Sequence, residues 1–595
     1  MEGYYYEPYI VPFVIGVLFL FARIWTRFFS WISVLPKSDK KQIFRNAISI
    51  HTFKGLWEAF SEILLHLRTF YINKKLWYMH LSLAFGWFLM IAVSKVNTAL
   101  YLKSPINPPY IEIFFSKYFP NYCNLLYSTV MDVLLCFVLS GYVMVAIKRR
   151  KPEAFGLKVS LQRSFMDNVA SYSLWMIFPL RLISESLNSG IYGCGGFLTG
   201  TLGELASMVF PENTLISLNN FSWWIYSFVS AIFMISIPYS RYLHIFAEIP
   251  LIFLRNFGIK AHRIPTTFTF LESAACSRCG LCNEVCPLIK SGVTTVGAPM
   301  AMIKNVRAKK RVFEVLDTCL MCGECERICP VRIEHTTIRL GEKYTSRHNY
   351  SRFDLSYLEH LDKVQRDSKP KSKVGYFAGC STHHDLYILK SMTKILNYFE
   401  GNFVFVDDEY RICCGASLRN SGNINDAERL ADKLDDFILQ SGITKLVVNC
   451  PTCYKNLSIR KKLTSRVEVV FYTDYIVERV GSLSLKGDVK YSLYTPCPVR
   501  DGSLDISSTH TLINKLGTYV EPNEKNICCG SANFATSLSY EERVKVSNFE
   551  ITRFDSGNID EIVTICPSCK KALKNNGVKI RDISEIIANT LQKTH

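Results

Sequence analysis

The 595-residue sequence lacks the usual signatures of nucleotide and flavin chemistry. No GxGxxG dinucleotide motif, Walker phosphate loop or Ser/His/Asp signature stands out along the chain. We therefore predict no nicotinamide, flavin or nucleotide site on this polypeptide, so any flavin would belong to a partner. Cysteine is also scarce before residue 270, where only Cys123, Cys136 and Cys194 occur.

The other 18 of the 21 cysteines form regular clusters after residue 270. Their CxxC, CC and CPxC spacings suit thiolate ligands of a metal in a reducing compartment, and disulfide bonds are a poor explanation. The net charge of +18 does not form one block, because lysine and arginine concentrate in loops beside apolar segments. We attribute most of this charge to membrane topology and predict no nucleic-acid partner.

Apolar runs alternate with short polar loops over roughly the first 255 residues. A helix needs about 20 residues to cross the hydrocarbon core of a bilayer. Five spans are predicted, at residues 9–34, 76–101, 124–147, 169–188 and 221–250. Basic residues follow spans one, three and five, which places the N-terminus outside and the cysteine-rich half in the cytoplasm. We expect a multi-pass protein of the inner (cytoplasmic) membrane, embedded in lipid.

Two histidines lie at matching depths in this membrane half. His80 is about one turn from the inner end of span two, and His244 is near the inner end of span five. Two neutral imidazoles at one depth can supply both axial ligands of a b-type haem, although two unrelated polar residues near an interface would give the same pattern. His51 and His66, on a segment predicted to lie in the inner interface, are interpreted as ordinary surface or interface histidines.

The stretches LWYMHLSLAFGWFLM, around His80, and IPYSRYLHIFAEIP, around His244, resemble spans two and five of the gamma subunit of respiratory nitrate reductase. That family consists of five-span, quinol-oxidising cytochromes b, so the resemblance implies quinone or menaquinone as a partner. Relatives usually have two further histidines, at the positions that Met90 and Tyr226 occupy here. The resemblance therefore implies one haem b, on the inner side.

Asp132 in span three and Arg181 in span four are isolated charges in the outer half of the predicted bundle. Unpaired charges are costly at that depth, so we expect the two to pair. A role at a quinone pocket and a purely structural salt bridge are both open.

A doubled ferredoxin motif, C-x2-C-x2-C-x3-C-P, follows the membrane half. It occurs at Cys276, Cys279, Cys282 and Cys286, and again at Cys319, Cys322, Cys325 and Cys329. In such runs three cysteines bind one 4Fe-4S cubane and the fourth binds the partner cluster. One predicted cluster therefore binds Cys276, Cys279, Cys282 and Cys329, and the other binds Cys319, Cys322, Cys325 and Cys286. Structural zinc sites do not use this doubled run with its prolines.

The rest of the chain repeats itself with a period of about 116 residues. The first set of cysteines is Cys380, Cys413, Cys414, Cys450 and Cys453, and the second is Cys497, Cys528, Cys529, Cys566 and Cys569. Each copy alternates predicted strands and helices, and parallel strands would bring its thiols to one crevice. Five thiolates exceed what one cubane needs, which indicates a larger or non-standard cluster, or a cluster beside a redox thiol.

Residues from about 270 to 595 resemble the catalytic D subunit of membrane-bound heterodisulfide reductase, which carries two such CCG domains after a two-cluster ferredoxin domain. The resemblance implies one or two non-cubane iron–sulfur clusters on the two five-cysteine sets, with a disulfide cleaved between them. That family commonly has His after the cysteine that opens the second copy, where Pro498 stands here, so no role is transferred to it. His383 and His384 could donate protons near Cys380 or be ordinary surface residues.

These features favour an oxidoreductase in which quinol delivers electrons through the haem and the cubanes to a disulfide, or in which thiol oxidation runs the same parts in reverse. Fused iron–sulfur proteins that carry electrons from electron-transfer flavoprotein to menaquinone share this domain order. The alternative is therefore a conduit for a flavoprotein partner. A redox sensor would need neither the cubanes nor the membrane helices.

The predicted architecture is multidomain. It comprises an all-α, five-span membrane domain (1–255), an α-helical dicluster ferredoxin domain (256–345), a linker (346–372) and two repeated α/β CCG domains (373–485 and 486–595).

Overall fold

The computed structural model describes residues 7–120, 122–157, 164–259, 267–293, 298–308, 316–347, 372–407, 413–481, 487–522, 524, 528–532, 535, 537–554 and 559–591. The predicted linker lies almost entirely outside these residues. The chain divides into two compact units. The first comprises Met1–His262, Thr266–Glu284 and Ile328–Ile333, and the second comprises Arg263–Pro265, Val285–Arg327 and Glu334–His595. The predicted ferredoxin segment is thus divided between the two.

The described part of the first unit is helical. Its helices are α1 (Val11–Ser33), α2 (Lys37–Asn46), α3 (Ile50–Ala59), α4 (Leu67–Ile72), α5 (Lys74–Tyr101), α6 (Pro109–Ile113), α7 (Phe115–Tyr118), α8 (Leu125–Arg150), α9 (Phe165–Tyr192), α10 (Phe197–Val209), α11 (Glu212–Ser236), α12 (His244–Asn256), α13 (Thr267–Ala275) and α14 (Leu281–Glu284).

Four helices in the described residues are long and apolar enough to cross a membrane: Pro8–Ser33, α5, α8 and Glu212–Tyr239. The predicted fourth span, 169–188, lies in α9, which has the length but not the apolar composition. Its polar side chains, Arg181 among them, are buried, and Ser184 donates a 2.9 Å hydrogen bond to Ser222 of α11. The prediction of five spans is therefore not confirmed.

The predicted fifth span, 221–250, is not continuous. Helix α11 ends at Ser236, and two short 3-10 turns, Ile237–Tyr239 and Arg241–Leu243, precede α12. Pro238 has no N–H to donate, and Ser240 between the turns is extended. His244 consequently begins α12 instead of lying inside a span.

The second unit contains the remaining elements. Its helices are α15 (Pro287–Lys290), α16 (Pro299–Arg307), α17 (Glu324–Arg327), α18 (His335–Arg347), α19 (Cys380–His383), α20 (Leu386–Glu400), α21 (Ala416–Asn420), α22 (Ile424–Gln440), α23 (Pro451–Ser458), α24 (Lys461–Thr464), α25 (Tyr472–Val480), α26 (Cys497–Arg500), α27 (Ser507–Leu516), α28 (Tyr540–Phe554), α29 (Pro567–Lys574) and α30 (Ile583–Thr590).

Two small parallel sheets confirm the predicted α/β repeat. The strands are β1 (Val374–Phe377), β2 (Val404–Phe405), β3 (Lys445–Val448), β4 (Glu468–Phe471), β5 (Lys490–Tyr494), β6 (Thr518–Tyr519), β7 (Glu561–Thr564) and β8 (Ile580–Asp582). The first sheet has the order β2-β1-β3-β4 and the second has the matching order β6-β5-β7-β8, with every pairing parallel. Both copies therefore share one topology.

The two α/β modules pack on one another through a common apolar core. Tyr376 and Ile395 of the first module and Leu512 and Ile587 of the second belong to this one buried cluster. The phenol of Tyr472 donates a 2.9 Å hydrogen bond to the buried carboxylate of Asp582 across the same contact. Burial of these apolar side chains stabilises the contact between the two modules, and with it the relative position of the two cysteine sets.

Candidate metal centres

Three of the cysteines predicted to bind the first cubane lie close together in the first unit. Cys329, in the returning segment Ile328–Ile333, lies close enough to Cys276 and Cys279 for their charges to interact. Burial raises the pKa of the Cys329 thiol to about 12, the cost that a metal offsets when it binds a buried thiolate. The fourth cysteine therefore returns to the loop of the other motif.

The complementary set lies in the second unit. Cys286, Cys319, Cys322 and Cys325 line one cavity, next to His335 and Arg339. These four are the predicted ligands of the second cubane. The two CxxC loops also share a backbone conformation, since Arg278 and Met321, each just before the second cysteine, have φ of 54° and 51°.

The first cubane loop packs against the N-terminal end of α5. Cys279, Leu281 and Ile328 belong to the same apolar cluster as Leu76 and Met79, in the first turns of α5. His80 directly follows Met79. The loop thus contacts the turn of α5 that carries the predicted haem ligand His80.

Asp167 joins this loop to the segment before His244, and the sequence reasoning missed it. Its buried carboxylate pairs with Arg278 at 2.8 and 3.3 Å and accepts a 2.6 Å hydrogen bond from the backbone N–H of Arg241. The Arg241 carbonyl in turn lies 2.7 Å from Nδ1 of His244. Removing one partner of a buried ion pair costs about 3–5 kcal/mol. In the sequence, Asp167 could have been noticed as the partner of Ser164 in a capping box at the start of α9.

His80 and His244 are close enough for their charges to interact. When Nδ1 of His244 donates to the Arg241 carbonyl, Nε2 carries the lone pair that an axial ligand needs. The two side chains therefore fit the haem site inferred from the sequence, although His244 belongs to α12.

His66 does not have the ordinary surface environment expected from its sequence. It has φ of 51°, and its ring centroid lies 5.3 Å from that of His80. Burial lowers its pKa to about 4, and Nε2 has no hydrogen-bond partner among the described residues. A third imidazole thus faces the predicted haem site.

In the first module a continuous series of sulfur contacts links the five cysteines. Cys380 contacts Cys413, Cys414 contacts Cys453, and Cys453 contacts Cys450. The hydrogen bond from Cys413 lowers the pKa of the buried Cys414 thiol well below its usual value. The predicted gathering of five thiols at the ends of β1 and β3 is therefore present.

The CCG glycines have a steric explanation. Gly415 and Gly530 have φ of 77° and 76°, in the left-handed region that favours glycine. A Cβ atom would also lie 3.0 Å from the Ala427 carbonyl oxygen at Gly415 and 2.9 Å from the Arg543 carbonyl oxygen at Gly530. Each glycine thus lets the cysteine pair approach the following long helix.

The second module gathers its five cysteines in the same way. Cys497 contacts Cys528, Cys528 neighbours Cys529, and Cys569 contacts both Cys529 and Cys566. The hydrogen bond from Cys528 lowers the pKa of Cys497, and the nearby Arg500 guanidinium lowers it further. The thiolate form that binds metal is therefore favoured at Cys497, the first cysteine of this set.

Arg500 also connects the second module to the second cubane loop. Its Nη2 lies 3.2 Å from Sγ of Cys497, and its Nε lies 3.4 Å from Oε1 of Glu324, in the CGEC segment. Cys322 of the same loop is near enough to Cys497 for their charges to interact. Thiols of two predicted centres thus lie side by side within the second unit.

His383 is not the surface residue that its position suggested. Asp407, fully buried, accepts hydrogen bonds from the Ala378 and Gly379 amides at 2.9 and 2.7 Å and pairs with His383 Nε2 at 3.1 Å. The His383 ring also stacks on Phe405. This network positions the turn that carries Cys380, whereas His384 is exposed.

Asp132 and Arg181 do not form the predicted pair. Asp132 accepts hydrogen bonds from the backbone N–H groups of Leu198 and Thr199, at the N-terminus of α10, and Arg181 pairs with Glu185 at 3.3 Å. A helix N-terminus carries partial positive charge and satisfies the carboxylate equally well. Asp132 thus bonds to a helix that is distant in the sequence, and Arg181 pairs within its own helix.

One disulfide bond occurs in the membrane half. It lies outside the 18 clustered cysteines, for which disulfides were predicted to be a poor explanation. Cys123 and Cys194 form a disulfide that joins the segment before α8 to the loop after α9. The basic cluster Lys148–Lys151 lies at the opposite end of α8. The 18 clustered cysteines are all among the described residues, and none of them is in a disulfide.

Two families of known domains match the cysteine-rich half of the chain. Residues 272–333 match the family described as a 4Fe-4S dicluster domain, and residues 374–458 and 491–574 each match the family described as a cysteine-rich domain. The chain is therefore an iron–sulfur protein with a dicluster domain followed by two cysteine-rich domains.

Two of its relatives are named as oxidoreductases, at low identity. One is a subunit of the fumarate reductase (CoM/CoB) of Methanothermobacter marburgensis, 22% identical over 354 residues, which cover 52% of this chain and 71% of the relative. Another is the EtfAB:quinone oxidoreductase of Syntrophomonas wolfei, 21% identical over 486 residues, which cover 62% of this chain and 68% of the relative. An uncharacterised iron–sulfur protein of Methanocaldococcus jannaschii is 22% identical over 347 residues, which cover 53% of this chain and 70% of the relative.

Proposed function

We propose that this protein is a membrane-bound oxidoreductase that transfers electrons between the quinone pool and a thiol/disulfide couple at the cysteine-rich sites. The proposal rests mainly on how near successive thiol sets are, since their charges interact. Cys322 of the second cubane set neighbours Cys497, and Cys566 of the second module neighbours Cys450 of the first. Thiol sets spaced in this way suit electron transfer in series better than separate structural metal sites.

The membrane end of the route would be a haem on His80 and His244. His80 follows Met79 of the apolar cluster that includes Cys279 of the first cubane loop. Asp167 joins the segment before His244 to the same loop. A b-type haem accepts single electrons, which suits the stepwise oxidation of a quinol. The resemblance to quinol-oxidising cytochromes and the quinone oxidoreductase relative both favour menaquinone or a related quinone as the partner.

The proposed orientation places the iron–sulfur domains in the cytoplasm. Basic residues at the inner end of α8 favour that side, and the disulfide at the other end suits an oxidising compartment. Clustered thiols that bind iron need a reducing compartment. One topology thus accounts for both the disulfide between Cys123 and Cys194 and the clustered thiols.

The proposed reaction balances in electrons and protons. A quinol releases two electrons and two protons as it becomes a quinone, and a disulfide takes up two of each as its S–S bond breaks and two thiols form. The fumarate reductase (CoM/CoB) relative favours a low-molecular-weight thiol couple. The same groups would support the reverse reaction.

The EtfAB:quinone oxidoreductase relative favours a second candidate, a conduit between electron-transfer flavoprotein and menaquinone. One experiment separates the two. Full-length protein is purified anaerobically, reduced with dithionite, freed of excess reductant and mixed with glutathione disulfide, with the CoM–CoB mixed disulfide, or with oxidised electron-transfer flavoprotein. We expect a disulfide to reoxidise the clusters and release two thiols. Reoxidation by the flavoprotein alone would contradict the disulfide proposal and support the conduit.

A further inference from the structure

The two cysteine-rich modules lie against each other as near copies. Ser381, next to Cys380, forms a 3.0 Å Oγ–Oγ hydrogen bond with Ser568, inside the CPSC segment of the second module. In the reciprocal contact Asp501, on the turn after Cys497, pairs with Lys455 on the helix that begins with the first module's CPTC segment. Each opening cysteine therefore lies beside the other module's CPxC helix.

The environments of the two opening cysteines differ. Arg500 and the Glu324 loop lie over Cys497, and Cys322 and Cys528 neighbour it, so the cubane segment occupies that face. Cys380 holds the equivalent position in the first module. Among the ten cysteines of the two sets, all of them described, Cys380 alone is exposed.

We infer that electrons enter the pair of modules at the second cysteine set and leave from the first, so that the acceptor docks at the open face around Cys380. The inference rests on the proposed function and assigns unequal roles to two sets that the sequence presents as equivalent. The second set relays electrons from the cubane, and the first set meets the acceptor.

The contacts provide the path that this assignment requires. Electrons reach Cys497 and Cys528 from the Cys322 side and cross between the modules where Cys566 neighbours Cys450. A disulfide acceptor takes two electrons and two protons as it becomes two thiols. The first set supplies the two electrons one at a time and is reduced again by the second set after each. Water supplies the two protons, and quinol is the reductant.

The variants Cys380→Ser and Cys497→Ser form a matched pair for testing the assignment. Each full-length protein is reduced with dithionite, which bypasses the relay, and is mixed with glutathione disulfide for one turnover. Cys380→Ser should then be reoxidised about 100-fold more slowly than the wild type, because its exit set is damaged. With a menaquinol analogue as donor, Cys380→Ser should still reduce its second set and Cys497→Ser should not reduce its first. Equal losses, or the reverse pattern, would overturn the inference.

A second pair of variants leaves all ten cysteines in place, so that a slower rate cannot be due to a lost cluster ligand. His384→Trp places a bulky side chain on the open face, and Asp501→Trp places it at the same position of the second copy. Reoxidation should slow about tenfold or more only in His384→Trp, with unchanged iron content in both. If glutathione disulfide fails to reoxidise the wild type, the proposed acceptor is wrong. The same variants mixed with the dye dichlorophenolindophenol then test the exit site by itself, and equal rates in the two tryptophan variants would refute it.

Discussion

Cys329→Ser and Cys286→Ser are each expected to remove one cubane and about four irons per chain, but not the same cubane. Cys329 lies in the first unit beside Cys276 and Cys279, and Cys286 lines the cavity of the second set. Cys329→Ser should therefore stop quinol from reducing any later centre. Cys286→Ser should leave the first cubane reducible by quinol. Iron analysis and EPR spectra of quinol-reduced and dithionite-reduced protein measure both effects.

Cys136→Ser provides the control, because Cys136 is a free cysteine outside the three clustered regions. It should keep full iron content and unchanged spectra. Identical EPR spectra for Cys329→Ser and Cys286→Ser would contradict the crossed assignment, since both fourth cysteines would then serve one cluster.

His80→Ala and His244→Ala are each expected to lower the haem content from about one per chain to about zero, since each removes an axial ligand. The iron–sulfur clusters should remain, because their ligands are independent of both imidazoles. The pyridine haemochrome spectrum of purified protein gives the haem content, and acid-labile sulfide gives the clusters.

His51→Ala and His66→Ala separate this assignment from its nearest rival. Both should retain haem, although His66→Ala should alter its spectrum because the His66 and His80 rings lie 5.3 Å apart. Loss of haem in His66→Ala with retention in His244→Ala would show that α12 does not supply the ligand.

The sequence predicted the cysteine-rich half well because ligand spacing and strand patterning are local properties. The continuous buried strands around Tyr376 and Val447 and the amphipathic pattern of α22 each specify their own structure. The crossing of Cys286 and Cys329 stays a prediction, made from the motif itself. The repeat likewise predicted two equivalent modules.

Long-range contacts between polar side chains were not predictable in the same way. Asp132 found a helix N-terminus and Arg181 found Glu185, because several partners satisfy a buried charge and the sequence does not rank them. Asp167, Arg278 and Arg500 each act through partners far away in the chain. Pro238 indicated that the helix ends before His244, but the surrounding apolar residues led to the prediction of one continuous span.

The central claim is that electrons from a quinol in the membrane reach the cysteine-rich sites. Stopped-flow mixing of oxidised, anaerobic, full-length protein with a menaquinol analogue tests it most directly, with absorbance recorded in the haem and iron–sulfur regions. We predict reduction at the haem wavelengths followed by bleaching of the clusters, with both signals lost in His244→Ala. Clusters that stay oxidised in the presence of quinol but are reduced by dithionite would contradict the account.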